Sequence, residues 1–329
     1  KFAKKPEVVA ANIKVMHAGY NFADTIEALP SSYTVLSANL KSGTYRNVMG
    51  NQAIAWGFLA AAERSNKELF LGSYPITPAS DILHELAKHK NLGVKTFQAE
   101  DEIAGICSAI GASFTGSLAI TTTSGPGLAL KAEGLGLAIM AELPLVVVNV
   151  QRGGPSTGLP TKTEQSDLMQ ALYGRNGESP SVVLASSTPG NCFDWAYMAS
   201  KITLEHNTPV VLLSDGYLGN GAEPWKIKST MDMPEINPSI AVEGEEYQPY
   251  ARDKKTLARK LALPGTKGLE HRLGGLEKED ITGNVSYDPE NHEKMVAIRA
   301  EKINRIADII PNQEIFGKEE GDLLVVGWG

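Results

Sequence analysis

From Gly50 onwards, two patterns of hydrophobic residues alternate along the chain. Short continuous runs of Val, Ile, Leu and Thr, such as Leu118–Thr123 and Leu145–Val150, predict buried strands. Between these runs, apolar residues recur at three- and four-residue intervals, as Ile54 and Phe58 do, which predicts helices. Continuous apolar strands are expected where both faces of a sheet are covered. Strands that alternate with helices predict an α/β fold with a doubly wound, mostly parallel sheet.

The same pattern gives the individual elements. The predicted strands are 69–73, 94–98, 118–123, 145–150, 181–185 and 209–214. The predicted helices are a helix of about four turns from Gly50, then 78–90, 101–114, 127–140, 162–173, 187–206 and 289–310.

The patterning divides the chain into segments. Residues 1–47 are weakly patterned and are interpreted as a tail or linker, whereas residues 48–225 carry the α/β pattern. Residues 226–290 are rich in Pro, Gly, Lys and Glu and are too long for an ordinary loop, so they are expected to wrap a surface or a partner. Residues 291–329 are predicted to form a helix and the first strand of a truncated C-terminal domain. Since the chain starts on Lys1 and ends on an apolar run, we expect a fragment of a longer polypeptide.

Composition and charge exclude several functional classes. The hydrophobic share of 42% is too high for a disordered chain. The net charge of −7, from 31 Lys and Arg against 38 Asp and Glu, argues against a nucleic-acid groove. The longest apolar stretch, Leu135–Val150, contains Glu142 and Pro144 and is shorter than the roughly 18 to 20 residues of a membrane span. Neither a nucleic acid nor a membrane is therefore an expected partner.

The two cysteines limit the redox chemistry of this chain. Cys107 and Cys192 are too few to form a structural zinc site or an iron–sulfur cluster by themselves, so no metal site is predicted here. Both lie in apolar helical patterns, which predicts buried thiols. The low cysteine count fits a reducing, cytoplasmic location.

In sheets of this kind, ligands bind beyond the carboxyl ends of the strands. After the first predicted strand, Thr77 precedes Pro78 and is either a helix N-cap or a ligand donor. After the second strand, Glu102 opens a helix together with Glu100 and Asp101. Acids at a helix start complement the helix dipole, yet Glu102 directly precedes the apolar face, where its carboxyl would point into the crevice.

The next two strands are also followed by candidate residues. Ser124 and Gly125 lie in the turn TTTSGPG, which is either a ligand contact or a plain strand-to-helix turn and matches no nucleotide-binding fingerprint. Arg152 follows the most apolar strand and predicts either bidentate recognition of a carboxylate or a structural ion pair. The same segment matches Gly-x-Ser-x-Gly around Ser156, although this serine lies well past the strand end that a hydrolase requires.

Four segments, in this order, resemble the alpha subunits of 2-oxoacid:ferredoxin oxidoreductases, and more specifically the 2-oxoglutarate-oxidising group (2-oxoglutarate synthase). The resemblance is close over residues 48–225 and continues through residues 270–289, and residues 1–45 resemble the end of a fused gamma-type domain. The four segments are YPITPAS at 74–80, the acidic helix start at 98–104, TTTSGPG at 121–127 and RGGPSTGLPTKTEQSD at 152–167.

The resemblance implies a thiamine diphosphate enzyme, of which this chain is the pyrimidine-binding domain. It implies that Glu102 is the acid that bonds the N1′ atom of the aminopyrimidine ring. It implies that Thr77 lies near the substrate and the aminopyrimidine, and that Arg152 engages the 2-oxoacid. The remaining implied cofactor contacts are Tyr74, Ser124 and Gly125.

The diphosphate–magnesium motif of this cofactor class is incomplete in the chain. Ser214-Asp215-Gly216 lacks the first glycine of that motif, and Asn220 follows too closely. The resemblance therefore implies a hetero-oligomer, in which a beta subunit supplies diphosphate binding, Mg²⁺ and an iron–sulfur cluster. The active site would then lie between the two subunits.

The implied reaction is the oxidative decarboxylation of 2-oxoglutarate with CoA to succinyl-CoA, with electrons passed to ferredoxin, a chemistry of anaerobic metabolism. The same chemistry on pyruvate or another 2-oxoacid is an alternative. Two alternatives come from other classes: a non-catalytic assembly subunit, and a serine hydrolase that uses Ser156.

Overall fold

The structure, a computed structural model, describes residues 2–28, 31 and 33–329. It divides into two compact units, Lys1–Gly43 and Thr44–Gly329. The first unit contains the helix α1 (Pro6–Thr25), none of whose residues is buried. This part of the sequence was interpreted as a tail or linker. The helix was missed because its apolar residues are spread around the helix and do not form a buried stripe.

The second unit contains the α/β domain that the sequence predicts. Its strands are β1 (Tyr45–Met49), β2 (Leu69–Ser73), β3 (Lys95–Gln98), β4 (Leu118–Thr123), β5 (Leu145–Gln151), β6 (Val182–Ala185), β7 (Pro209–Asp215) and β8 (Ala222–Lys226). Its α-helices are α2 (Gly50–Ser65), α3 (Ser80–Leu86), α4 (Glu102–Phe114), α5 (Gly125–Leu130), α6 (Ala132–Ala141), α7 (Leu168–Tyr173), α8 (Asn191–His206), α9 (Gly216–Asn220) and α10 (Pro289–Ile306). Short 3₁₀ segments are Ala87–Leu92, Thr230–Asp232 and Ala307–Ile309.

The central sheet has six strands in the order β3-β2-β4-β5-β7-β6, and all neighbouring pairs are parallel. The predicted doubly wound parallel sheet is therefore confirmed. The chain leaves β2 for β3 on one side and returns to β4 on the other, so a topological switch point lies between β2 and β4. In open α/β sheets the crevice outside such a point is the usual ligand site. Strands β1 and β8 form a separate antiparallel pair.

Each face of the sheet is covered by its own hydrophobic cluster. Along β5, Val146 and Val148 belong to one cluster and Val147 to the other, as the alternation of side chains along a strand requires. Helices α2, α3 and α8 contribute to the first cluster, for example through Phe58, and α4 and α6 to the second, for example through Leu135. Burial on both faces explains why these strands are continuously apolar.

Two predicted helices differ from the structure in their extent. The helix predicted over 162–173 covers only Leu168–Tyr173, because residues before it are bonded to the sheet: Asp167 accepts from Asn149 of β5, and Gln165 donates to Asp215 of β7. The helix predicted over 127–140 is two helices, α5 and α6, that meet at Lys131, whose side chain is completely buried.

Residues 227–288 form no α-helix and no extended strand in the structure, only the short 3₁₀ segment and isolated bridges. They are held to the α/β domain through buried side chains. Tyr250 is 1% exposed, and Arg259, which is fully buried, donates to the carbonyl of Ala141 at the end of α6 over 2.8 Å. The segment therefore packs against the end of α6 at these residues.

A buried ion cluster fastens this segment and α10 to the end of α6. The Glu142 carboxylate forms ion pairs with Arg252 and, over 2.7 Å, with Lys302 of α10. Burial by itself raises the pKa of Glu142, but Lys302 and Arg252 outweigh that effect and hold the pKa far below its ordinary value. The carboxylate is therefore charged at neutral pH, and its negative charge is balanced by two neighbouring cations, Arg252 and Lys302.

Two further expectations are wrong. No strand forms at 321–329, where Leu323 and Val326 are exposed; a strand needs the hydrogen bonds of a neighbouring strand, which an apolar run alone does not supply. Cys107 is exposed, because the solvent-facing side of α4 also carries small and apolar residues, whereas Cys192 is buried as expected. Burial raises the pKa of the Cys192 thiol to about 11. Within the described ranges, no helix has the length and apolarity of a membrane span.

The ion cluster gives a prediction about stability. Glu142→Gln should lower the free energy of unfolding by about 3–5 kcal/mol, since it leaves buried Arg252 and Lys302 without their carboxylate. Because the folded pKa of Glu142 lies below its ordinary 4.5, the stabilisation is present above about pH 4.5 and lost as the pH falls further. Urea unfolding measures both effects. The control is Glu301→Gln, which removes the exposed pair with Arg305 and should cost about 0.5 kcal/mol. Equal losses in the two variants would contradict the prediction.

Candidate functional site

The carboxyl ends of β2 and β4 are joined by a side-chain contact. The Ser73 hydroxyl lies 2.8 Å from both the carbonyl and the hydroxyl oxygen of Thr122. The chain then turns outward through Tyr74, which is 38% exposed, to Thr77. Helix α3 is not capped by the Thr77 side chain, because its N-cap is Ala79. The exposed Thr77 hydroxyl has no hydrogen-bond partner in the described chain, so it is available to a ligand.

The acidic residues before α4 have different roles. Asp101 is the N-cap, and its carboxylate accepts a hydrogen bond from the Ala104 amide over 2.7 Å. Glu102, the first residue of α4, is turned inward and is only 7% exposed. Its carboxylate has no hydrogen bond and no ion pair to any described residue. Of the two interpretations left open by the sequence, the crevice-facing one therefore applies to Glu102 and the dipole-capping one to Asp101.

The turn after β4 lies directly against Glu102. A Cβ atom placed on Gly127 would collide with Thr123 Oγ1 and would lie only 2.6 Å from Glu102 Cγ. Glycine at this position is thus a steric requirement for the placement of Glu102. Ser124 is completely buried, and its hydroxyl has no hydrogen-bond partner in the structure. The structure thus places Glu102 against the glycine turn that follows Ser124.

A polar group beneath this turn was missed by sequence reasoning. Asn149 Nδ2 donates to Asp167 Oδ2 over 2.9 Å, and the Asp167 amide donates to Gln151 Oε1 over 3.0 Å. Burial raises the pKa of Asp167, against the effect of the Asn149 hydrogen bond. Asp167 Oδ2 lies 2.9 Å from where a Gly125 Cβ would be, and Asn149 Oδ1 is buried without a partner. The signal for this group was Asn149, a polar residue inside the apolar strand LVVVNVQ.

Arg152 connects two loops at the end of β5. Its Nη1 donates to the Thr77 carbonyl over 2.6 Å and its Nη2 to the Thr157 carbonyl over 2.9 Å. The side chain is 6% exposed, and no carboxylate of a described residue lies within ion-pair distance of it. Its Nε is buried without a hydrogen-bond partner. The interpretation as a structural ion pair is therefore wrong. Arg152 is a nearly buried cation whose charge is not matched by a carboxylate.

The candidate residues form two groups at one edge of the sheet. The first group lies at the carboxyl end of β4 and the amino end of α4 and consists of Glu102, Ser124 and Gly125. The second group lies at the carboxyl end of β5 and consists of Thr77 and Arg152. Ser73 and Thr122 connect the strands on which both groups depend. Tyr74 lies on the loop that leads to Thr77 and has no polar contact of its own among the described residues.

Lys131 is a second residue that sequence reasoning missed. It is fully buried, and its Nζ donates to the backbone carbonyl of Glu102 over 2.7 Å. Burial lowers the pKa of Lys131 from 10.5 to about 8, although the charges of Glu102 and Asp101 oppose this shift. A single lysine inside the helix predicted over 127–140 carried no recognisable signal, because its contact is made only by tertiary packing.

Ser156 does not lie in the arrangement of a hydrolase nucleophile. It is exposed in the loop after β5, with φ +55°, and no helix begins directly after it. No histidine of the described chain forms a hydrogen bond with it. Across the same residues, no group of three or more His, Cys, Asp or Glu side chains is placed to hold a metal ion.

The family model described as "Pyruvate flavodoxin/ferredoxin oxidoreductase, thiamine diP-bdg" matches residues 63–288. These residues include both groups of candidate side chains. The chain belongs to this family. A thiamine diphosphate-binding domain of the α/β class, suggested by the four sequence segments, is thereby confirmed.

Individual relatives agree with the family assignment. The 2-oxoglutarate oxidoreductase subunit KorA of Mycobacterium tuberculosis is 54% identical over the whole of this chain and 50% of its own length. The 2-oxoglutarate synthase subunit KorA of Methanothermobacter marburgensis is 34% identical over 86% of this chain and 73% of its own. A structure of 2-oxoglutarate:ferredoxin oxidoreductase from Magnetococcus marinus with 2-oxoglutarate, coenzyme A and succinyl-CoA bound is similar with a TM-score of 0.83 and 37% identity. It covers 97% of this chain and 54% of that one, so the chain spans about half the length of several relatives.

The residues present fit the pyrimidine part of thiamine diphosphate. The carboxylate of buried Glu102 has no partner among the described residues, and neither has the buried hydroxyl of Ser124; both belong to the segments that follow β3 and β4 at this edge of the sheet. Buried polar groups without partners are costly, and a ligand with complementary donors and acceptors removes that cost. The chain does not show the same fit for the diphosphate. The Asp215 carboxylate already accepts hydrogen bonds from the amides of Tyr217 and Leu218 and from the side chain of Gln165.

The close approach at Gly127 gives a prediction about binding. Gly127→Ala should weaken thiamine diphosphate binding by about tenfold or more, because the new methyl group displaces the Glu102 side chain. Tryptophan fluorescence titration of the assembled protein measures the affinity. The matched control is Gly111→Ala in α4, where a Cβ meets nothing within 4 Å and helix propensity favours alanine. If both variants bind the cofactor alike, the assigned position of Glu102 is wrong.

Proposed function

We propose that this chain supplies the pyrimidine half of a thiamine diphosphate site in a 2-oxoglutarate:ferredoxin oxidoreductase. The enzyme oxidatively decarboxylates 2-oxoglutarate with CoA to succinyl-CoA and passes the electrons to ferredoxin. The observation that carries the proposal is the Glu102 carboxylate, which is 7% exposed, has no protein partner and lies at the switch point of a sheet of the thiamine diphosphate-binding family.

Glu102 is proposed to move a proton to and from the N1′ atom of the aminopyrimidine ring. When bound, thiamine diphosphate supplies a carbon nucleophile that adds to the 2-oxo carbon of the substrate. A carboxyl group serves as a general acid and base only if it is held within hydrogen-bond distance of the ring and is not consumed by protein donors. Glu102 meets the second condition directly, and Gly127 leaves the space that the first requires.

Arg152 and Thr77 are proposed to orient the 2-oxoacid. Arg152 is nearly buried and has no carboxylate partner in the described chain, so an anionic substrate is a suitable counterion. Two of its N–H groups hold the Thr77 and Thr157 carbonyls. The same arginine therefore fixes the loop that carries the free Thr77 hydroxyl, and it has further N–H groups for a substrate oxygen.

The site is proposed to be completed by a beta subunit. This subunit would supply diphosphate binding, Mg²⁺ and an iron–sulfur cluster, since Asp215 is occupied as a helix cap. Exposed apolar side chains beside the candidate residues support a subunit interface at this edge: Ile103 is 50% exposed and Leu130 52%. A hetero-oligomer of this kind is proposed to act in the cytoplasm.

The substrate is proposed to be 2-oxoglutarate because relatives that are 54% and 34% identical to this chain carry that name. The solved relative at 37% identity contains 2-oxoglutarate and succinyl-CoA. Pyruvate and other 2-oxoacids are the competing substrates. A comparison of kcat/KM over a panel of 2-oxoacids decides among them, with 2-oxoglutarate expected to be the best.

Glu102→Gln tests the catalytic assignment. The amide has nearly the shape of the carboxyl but exchanges no proton, so the assembled enzyme should lose about a hundredfold or more of its activity. The assay is viologen reduction with 2-oxoglutarate and CoA. Subunit association, followed by gel filtration, should be unchanged. Near-normal turnover would instead identify this chain as a non-catalytic assembly subunit.

Arg152→Lys tests the substrate contact. Lysine keeps the charge but cannot bridge two carbonyls in the fixed fork of a guanidinium, so KM for the 2-oxoacid should rise by about tenfold or more. The affinity for thiamine diphosphate should stay within about twofold, because Arg152 is in the other group of side chains. An unchanged KM would remove Arg152 from the substrate site.

A further inference from the structure

Lys131 lies where α5 and α6 meet and is completely buried. Its ammonium nitrogen donates to the backbone carbonyl of Glu102 over 2.7 Å. A Cβ atom on Gly105, one turn further along α4, would be 3.5 Å from the same nitrogen. No carboxylate oxygen of a described residue lies within ion-pair distance of Lys131. The cation therefore faces the first turn of α4 without a direct counterion.

This burial costs stability. A cation taken out of water is unfavourable unless it is paired, and burial accordingly lowers the pKa of Lys131 from 10.5 to about 8. A lysine whose folded pKa lies below its unfolded value destabilises the fold fully below about pH 8, and the cost falls as the pH rises towards 10.5. A methionine of similar length would fill the same space without that cost. The fold alone thus gives no reason for a cation here.

The lysine acts on Glu102 in two ways. Its hydrogen bond fixes the backbone of the residue whose carboxyl lies in the site. Its charge also attracts the Glu102 carboxylate, and this attraction is among the influences on the lysine itself. Because such an interaction is mutual, the cation stabilises the ionised carboxylate as much as the carboxylate stabilises the cation. The amino end of α4 adds partial positive charge at the same place.

We propose that Lys131 is a positioning residue for Glu102, which holds the first turn of α4 in place and biases the proton shared by Glu102 and the N1′ atom of the cofactor towards N1′. When the carboxyl gives up its proton, the cation stabilises the carboxylate that remains. When the proton returns, the carboxyl is restored, and nothing is consumed. This inference rests on the proposed thiamine diphosphate function.

The charged groups around Lys131 are few. They are Glu102 and Asp101 at the start of α4, and Cys107 one turn later. Asp101 is engaged as the helix cap. Cys107 is an exposed thiol, so Cys107→Ser is the background in which pH profiles are measured. In that background, a change in the measured exchange rate at alkaline pH is attributed to Lys131.

The experiment compares Lys131→Met and Lys131→Arg in the assembled enzyme. The matched control is Lys278→Met: Lys278 is 3% exposed, its pKa is likewise lowered to about 8 by burial, and its Nζ bonds only the Met140 and Leu276 carbonyls, away from Glu102. The readouts are the thermal midpoint, the affinity for thiamine diphosphate, and the exchange rate of the C2 proton of the bound cofactor by NMR, from about pH 6 to about pH 10.

Lys131→Met should lower the exchange rate by about tenfold or more at neutral pH, with a thermal midpoint equal to or above that of the parent. The parent should lose exchange rate as the pH rises past about 8 and Lys131 loses its proton. Lys131→Arg stays charged throughout and should lack this alkaline loss. Lys278→Met should keep the parental exchange rate at every pH.

Parental exchange by Lys131→Met, or an alkaline loss that persists in a folded Lys131→Arg, would overturn the proposal. If Lys131→Arg does not fold, the exchange rate and thermal midpoint of Lys131→Met decide alone. Glu102→Gln shows whether a negative result contradicts only the role of Lys131 or also the proposed thiamine diphosphate function. Full exchange in Glu102→Gln would overturn both, whereas abolished exchange in Glu102→Gln with parental exchange in Lys131→Met would overturn only the role of Lys131.

Discussion

The parallel pairing of β2 with β4 is the constraint on which the site depends. Parallel strands end at the same edge, and the reversal of strand order between β2 and β4 opens a crevice there. The hydrogen bond from Ser73 to the Thr122 carbonyl fixes how the two ends meet. The loop to Thr77 and the turn at Ser124 start from this junction, and the segment before α4 is bonded to it, since the Ala99 amide donates to the Ser73 carbonyl over 2.9 Å. A shift of one strand against the other would separate them.

The chain buries charge in two different ways. Around Glu142 the charges are matched, since Arg252 and Lys302 surround one carboxylate and tie the long segment and α10 to α6. Elsewhere, Glu102, Lys131 and Arg152 form no ion pair with any described residue. Matched charges hold a structure together, whereas unmatched ones in a crevice are satisfied by what binds there. The Glu142 cluster therefore stabilises the fold, whereas the unpaired charges are the candidates for contact with a ligand.

The site favours the proposal that this domain acts together with a second subunit. The pyrimidine side has open polar groups, but Asp215, the last residue of β7, is used as a helix cap. The chain also spans about half the length of several relatives that it resembles. A cofactor that is bound by two domains is shielded from water only when both are present. Assembly and catalysis are therefore expected to be coupled.

The sequence by itself determined the α/β class, the six strands of the central sheet and most of the helices that cover it, because burial on both faces of a sheet leaves continuous apolar runs. It gave the bounds of β4 correctly and pointed to Glu102, Thr77 and Arg152 as strand-end residues. Only the tertiary structure decided that Asp101 caps the helix while Glu102 turns inward, and that Lys131 lies beneath Glu102. These outcomes depend on contacts between residues far apart in the chain, which no local pattern records.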